Sequence, residues 1–199
     1  MTALPSDRPP GGLNQRLIDM ARGSGWFYKA LQAARELELP SWCIGAGAVR
    51  NLVWDAIHEL PAPSALADVD VAYFDATRLE PARDADLQNR LAGILPDVPW
   101  EVTNQAAVHL WFETHFGHPV PALRSLEDAV ASWPEYATSV GLTLQPDDAI
   151  TVIAPHGLED LFEVRVRRNP ARVSVATYGQ RVAQKRYAER WPKVTIIPC

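Results

Sequence analysis

Leu13, Leu17, Met20 and Ala21 recur three and four residues apart, the pattern stops at Gly23-Ser24-Gly25, and Trp26, Ala30, Leu31, Ala34 and Leu37 resume the same period. This predicts two consecutive helices broken at Ser24. After Pro40 the unbroken apolar run Trp42-Cys43-Ile44 reads as a buried strand that enters Gly45-Ala46-Gly47 and then a helix from about Ala48 to His58. A second strand, Asp68-Val69-Asp70-Val71-Ala72-Tyr73-Phe74, is followed by a helix over about Arg83 to Leu95 and a short third strand, Trp100-Glu101-Val102-Thr103. Gln105 to Phe116 is helical in pattern, and Ser125-Leu126-Glu127-Asp128 has the form of an N-terminal cap for a helix that Pro134 ends. Val140 to Leu144 and Ile150 to Ile153, separated by Pro146-Asp147-Asp148, predict a hairpin, and a last long helix is expected from Val175 to Trp191. No internal repeat interrupts this order.

A length of 199 residues suits one ordinary domain, or one with a small appendage. With 47% hydrophobic and 22% charged residues, wholesale disorder and a fibrous repeat are excluded. Residues 1–12 hold three prolines and two glycines, which predicts a flexible leader. No stretch is apolar enough for a membrane helix and the N-terminus lacks signal-peptide regions, so the expected location is cytoplasmic, with no membrane partner. Cys43 and Cys199 form neither a disulfide framework nor a zinc-ligand spacing.

Net charge is −5, but it is split unevenly along the chain. Residues 1–164 carry 10 basic against 23 acidic side chains, and residues 165–199 carry nine against Glu189 alone, giving −13 and +8. The expected organisation is therefore a leader over 1–12, a core over 13–164, and a basic helical segment over 165–199 that packs on the acidic body. On the last helix, Arg181 and Lys185 are candidates for holding phosphates, with a solvated basic face as the alternative.

The sharpest chemical signal is Asp68-Val69-Asp70-Val71. A strand alternates faces with period 2, so both carboxylates project to one side from alpha carbons about 6.6 Å apart. Two adjacent anions repel unless a cation joins them, which points to a divalent-metal site and sets it against the alternative of an exposed edge strand. Glu101 in the next strand supplies a third carboxylate if the two strands are neighbours. Gly45-Ala46-Gly47-Ala48 at a helix start leaves room for phosphate to approach backbone N–H groups, and Arg50 in the same helix adds charge. A dinucleotide fingerprint fits less well, because Arg50 stands where a third Gly or Ala is needed; no P-loop and no GxSxG elbow occurs. His109, Glu113, His115 and His118 crowd one region without convincing zinc spacing.

Taken together, Gly45-Ala46-Gly47-Ala48-Val49-Arg50-Asn51, Asp68-Val69-Asp70-Val71 and Trp100-Glu101-Val102 resemble the polymerase-beta-type nucleotidyltransferase superfamily. The wider segments Arg50 to Asp55, Tyr73-Phe74-Asp75, Asn104 to Trp111 and Ala154 to Phe162 resemble a bacterial nucleotidyltransferase-like family whose members mostly lack an assigned substrate. The resemblance covers about Trp26 to Pro192. It implies an α+β fold with a mixed β-sheet core, flanking helices and a C-terminal helical region. It also implies an NTP substrate, an unidentified hydroxyl acceptor (small molecule, protein or RNA end), and Mg²⁺ or Mn²⁺ held by Asp68, Asp70 and Glu101. Ala46 and Gly47 would stand at the phosphate turn, where the superfamily often has Gly-Gly or Gly-Ser, so a serine hydroxyl is missing. A nucleotide-sensing or protein-binding module without turnover is the alternative on the same fold.

Overall fold

The computed structural model describes residues 12–199, so the expected leader lies outside the described residues except for Gly12. In chain order the elements are α1 (Gly12–Gly23), α2 (Gly25–Arg35), β1 (Trp42–Gly45), α3 (Ala46–Ile57), β2 (Val69–Tyr73), α4 (Pro81–Ile94) and β3 (Trp100–Asn104). A 3-10 turn then leads into α5 (Val108–Phe116) and α6 (Leu126–Ala131), followed by the hairpin β4 (Gly141–Leu144) and β5 (Ile150–Ile153). The chain ends with α7 (Glu159–Phe162), β6 (Arg165–Val166), α8 (Val175–Lys185), α9 (Tyr187–Arg190) and β7 (Thr195–Ile196). Local chemistry explains several boundaries. Ser24 caps α2 by accepting from the Phe27 N–H, and Ser125 caps α6 by accepting from the Asp128 N–H.

The main sheet is mixed, in the order β3-β2-β1-β4-β5. β2 and β3 run parallel, joined through α4, while β1 is antiparallel to both β2 and β4. Two sequence alternatives fall here. The aspartate strand β2 is interior rather than an edge, and an antiparallel β1–β2 pair is not the first unit of a parallel dinucleotide-binding sheet. Alternation then sorts the side chains. Trp42, Ile44, Val69, Val71, Tyr73, Trp100, Val102, Leu142 and Leu144 belong to the large core beneath the helices, whereas Cys43 and Ala72 join a small cluster with Leu126 and Val130 of α6.

The expected single helix from Val175 to Trp191 is broken. Arg186 adopts a left-handed conformation (φ 50°, ψ 46°) between α8 and α9. The break redirects the chain so that Tyr187 and Trp191, both buried, meet Trp54 edge to face at 5.9 and 5.3 Å. Nor is the segment after residue 164 helical throughout: β6 and β7 pair in parallel and tie its two ends together. Three of its nine cations form ion pairs with acids of the body. Arg165 and Arg167 pair with Asp160, and Arg181 pairs with Glu135.

Candidate active site

The register of β2 on β3 sets Asp70 beside Glu101, and Asp68 lies two residues before Asp70 on the same side. All three carboxylates line one cavity of about 250 Å³, together with Ala46, Gly47 and Arg50 of α3. From the C-terminal segment, Arg181 and Lys185 complete its wall. The eight residues singled out from the sequence therefore share one space, drawn from two strands, one helix start and α8.

At the start of α3, Gly45 has no side chain to cap the first turn, and Ala46 is held in a left-handed conformation (φ 49°). The two glycines differ in what they permit. A Cβ on Gly45 would lie 2.5 Å from the Trp133 ring, so this glycine is required by packing. A Cβ on Gly47 would meet only the Arg50 guanidinium at 3.7 Å, so its backbone is open toward the cavity.

The cations differ as well. Arg50 is only 4% exposed, its guanidinium sits 5.0 to 5.8 Å from the rings of Trp191, Tyr187 and Trp54, and among the described residues it has no ion pair. It donates to Asn51 Oδ1 at 2.6 and 3.1 Å, Asn51 donates to Ser64, and Ser64 donates to Asp55, which also accepts from Trp191 Nε1. Burial pulls the Arg50 pKa below the usual arginine value. Arg181 is instead committed to Glu135, which is 1% exposed, through bonds of 2.7 and 3.2 Å. Burial opposes the Arg181 charge, but the hydrogen bond and field of Glu135 hold its pKa above the ordinary value. Lys185 has no ion-pair partner among the described residues.

Asp70 is the perturbed acid of the cavity. Burial, reinforced by the fields of Asp68 and Glu101, pushes its carboxyl up to about 7. A donor set of three carboxylates suits a hard divalent cation such as Mg²⁺ or Mn²⁺, which would relieve this crowding of anions. Among the described residues, no three His, Cys, Asp or Glu side chains stand close enough to form a metal centre as they lie. In the histidine cluster, His115 Nδ1 contacts the Trp111 carbonyl, while the buried Nδ1 of His109 has no partner among the described residues.

Sequence reasoning missed Glu135, the counterion of Arg181, and the cavity-lining Trp133 and Thr138. A lone acid between Pro134 and the apolar Tyr136-Ala137 was the available signal for Glu135.

A family model described as nucleotidyltransferase matches residues 32–196, and the chain belongs to that family. Among solved structures, it is similar to one described as an NMR structure revealing a CCA-adding enzyme head domain, with 26% identity, a TM-score of 0.79, and coverage of 93% of this chain and 96% of that one. A complex of a CCA-adding enzyme with CTP shares the fold at 11% identity and a TM-score of 0.54, over 92% of this chain; the match spans only 43% of that enzyme's length. No curated protein matches the chain. Among the described residues, no helix is long and apolar enough to cross a membrane.

Proposed function

We propose that this protein transfers a nucleoside monophosphate from an NTP to a hydroxyl acceptor, using a divalent cation held by Asp68, Asp70 and Glu101. The supporting observation is that these carboxylates and the un-neutralised cations Arg50 and Lys185 line the same cavity. A buried guanidinium without a carboxylate partner is costly until an anion arrives, and a triphosphate is such an anion. The open backbone at Gly47 and the uncapped start of α3 receive phosphate oxygens, while Arg50, steadied through Asn51, Ser64 and Asp55, holds the β and γ phosphates. Arg181, anchored by Glu135, shapes the wall more than it clamps phosphate. The acceptor oxygen bonds to the α-phosphorus, the bond to pyrophosphate breaks, and the hydroxyl proton leaves to water at the exposed Glu101 side. When bound, the cation lowers the pKa of the attacking hydroxyl and offsets charge on the departing pyrophosphate. The protein's own contribution is placement and fixed charge.

The likeness to a CCA-adding enzyme head domain supports an NTP donor, and CTP, the ligand of the more distant enzyme, is the first nucleotide to try. The test is incubation of the full chain with each labelled NTP and Mg²⁺ or Mn²⁺, with pyrophosphate and labelled products detected. Product from the parent and none from Asp70→Asn supports the proposal. Nucleotide binding without pyrophosphate release transfers the site to nucleotide sensing.

A further inference from the structure

A second cavity, of about 380 Å³, opens from the first. The two share Asp70, Thr103, Gln105, Trp133, Pro134 and Arg181, but Ala46, Gly47, Arg50 and Lys185 line the first alone. Beyond the shared wall, which already includes Trp133, the lining becomes aromatic: Trp111, Phe112 and Phe116 come from α5, joined by Arg172, whose guanidinium lies 5.5 Å from the Phe112 ring. α5 itself is poorly covered. Leu110 and Phe116 are 60% and 56% exposed, and of the nine residues of α5 Val108 alone is buried.

We propose that this aromatic groove is the acceptor subsite, and that the acceptor is a small molecule joining a flat aromatic ring to the attacking hydroxyl. The assignment rests on the transferase reading of the carboxylate cavity and extends it. Phosphoryl displacement is in line, so the attacking oxygen and the departing pyrophosphate lie on opposite sides of the α-phosphorus. With the pyrophosphate drawn toward Gly47, Arg50 and Lys185, the hydroxyl must come from the far side of Asp70, and the second cavity opens there. Aromatic walls favour a planar ring through stacking. A long nucleic-acid strand is a poorer occupant, because it needs a track of cations. The groove offers only two arginines, one of them neutralised by Glu135, on a body that carries −13 over residues 1–164.

The test uses the full chain with Mg²⁺ and non-hydrolysable analogues of the four NTPs, titrated calorimetrically. Tryptophol, 2-phenylethanol and adenosine are then added as ring-bearing hydroxyl probes and followed by saturation-transfer NMR. At least one probe should bind the analogue-loaded parent, and Trp111→Ala and Phe112→Ala should each weaken it about tenfold or more, with analogue affinity changed less than about twofold. Melting curves confirm that the variants fold; both side chains are partly exposed, and either variant suffices if the other unfolds. A loss of analogue affinity in the groove variants would make this the nucleobase pocket and overturn the assignment. So would equal probe binding by parent and variants, no binding of any probe at millimolar concentration, or binding of an RNA oligonucleotide in place of the probes. If no analogue binds the parent, the transferase reading itself fails, and that result is read separately from the probe titrations.

Discussion

Along β2, Val69, Val71 and Tyr73 turn into the main core and are almost wholly buried, whereas the intervening Asp70 and Ala72 face the cavity and the small cluster under α6. One face is apolar and closely packed, so it contributes stability by removing apolar surface from water. The other gathers like charges, and burial together with the fields of Asp68 and Glu101 raises the Asp70 pKa. The contrast teaches that a single strand can carry the fold on its odd residues and the chemistry on its even ones, with little exchange between the two.

The largest effect should come from moving a charge to the wrong face. Val71→Asp introduces an unpaired carboxylate at a 1% exposed position and should cost about 4 kcal/mol or more, read as loss of the cooperative transition in urea. Next come the two arginines of the cavity face. Arg181→Ala strands Glu135 and should destabilise by about 2 to 3 kcal/mol, part of which a second change, Glu135→Gln, should restore. Arg50→Met removes a buried cation that has no carboxylate partner, so stability should stay within about 1 kcal/mol of the parent while nucleotide affinity falls about tenfold or more. Equal destabilisation by both variants would erase the distinction between a structural and a ligand-directed arginine.

A smaller effect is expected from pH. The Asp70 carboxyl is raised from 3.8 to about 7, so the folded chain holds a proton that the unfolded chain releases between those values. Cation-free protein should therefore lose stability as pH rises from about 4 to 7, by on the order of 1 to 2 kcal/mol after allowance for solvent in the cavity, and show no further loss from this group above 7. Asp70→Asn should flatten that slope in melting curves taken across the range. The smallest effect belongs to Gly47→Ala, which should shift the melting point by no more than a few degrees, because its Cβ would stand 3.7 Å from the Arg50 guanidinium, an ordinary van der Waals distance. Gly45→Ala, driven against Trp133 and the Val140 carbonyl, should shift it clearly more.

Much of this organisation was legible in local sequence. Alternation along Asp68 to Tyr73 assigns the two aspartates to one face, the Gly23-Ser24-Gly25 break divides the first two helices, and the small-residue run at Gly45 to Ala48 marks the start of α3. These follow from backbone geometry and side-chain period, which act over a few residues. Tertiary structure alone decided that β3 lies parallel beside β2, bringing Glu101 next to Asp70, because strand register is set by pairing between distant segments. It also decided which cations remain free. Arg50 and Arg181 look alike in sequence, yet one is enclosed by Trp54, Tyr187 and Trp191 and the other is bound to Glu135. The break at Arg186 belongs to the same category: the amphipathic period runs on past it, but burying Tyr187 and Trp191 against Trp54 requires the chain to turn, and only packing from elsewhere in the chain can impose that.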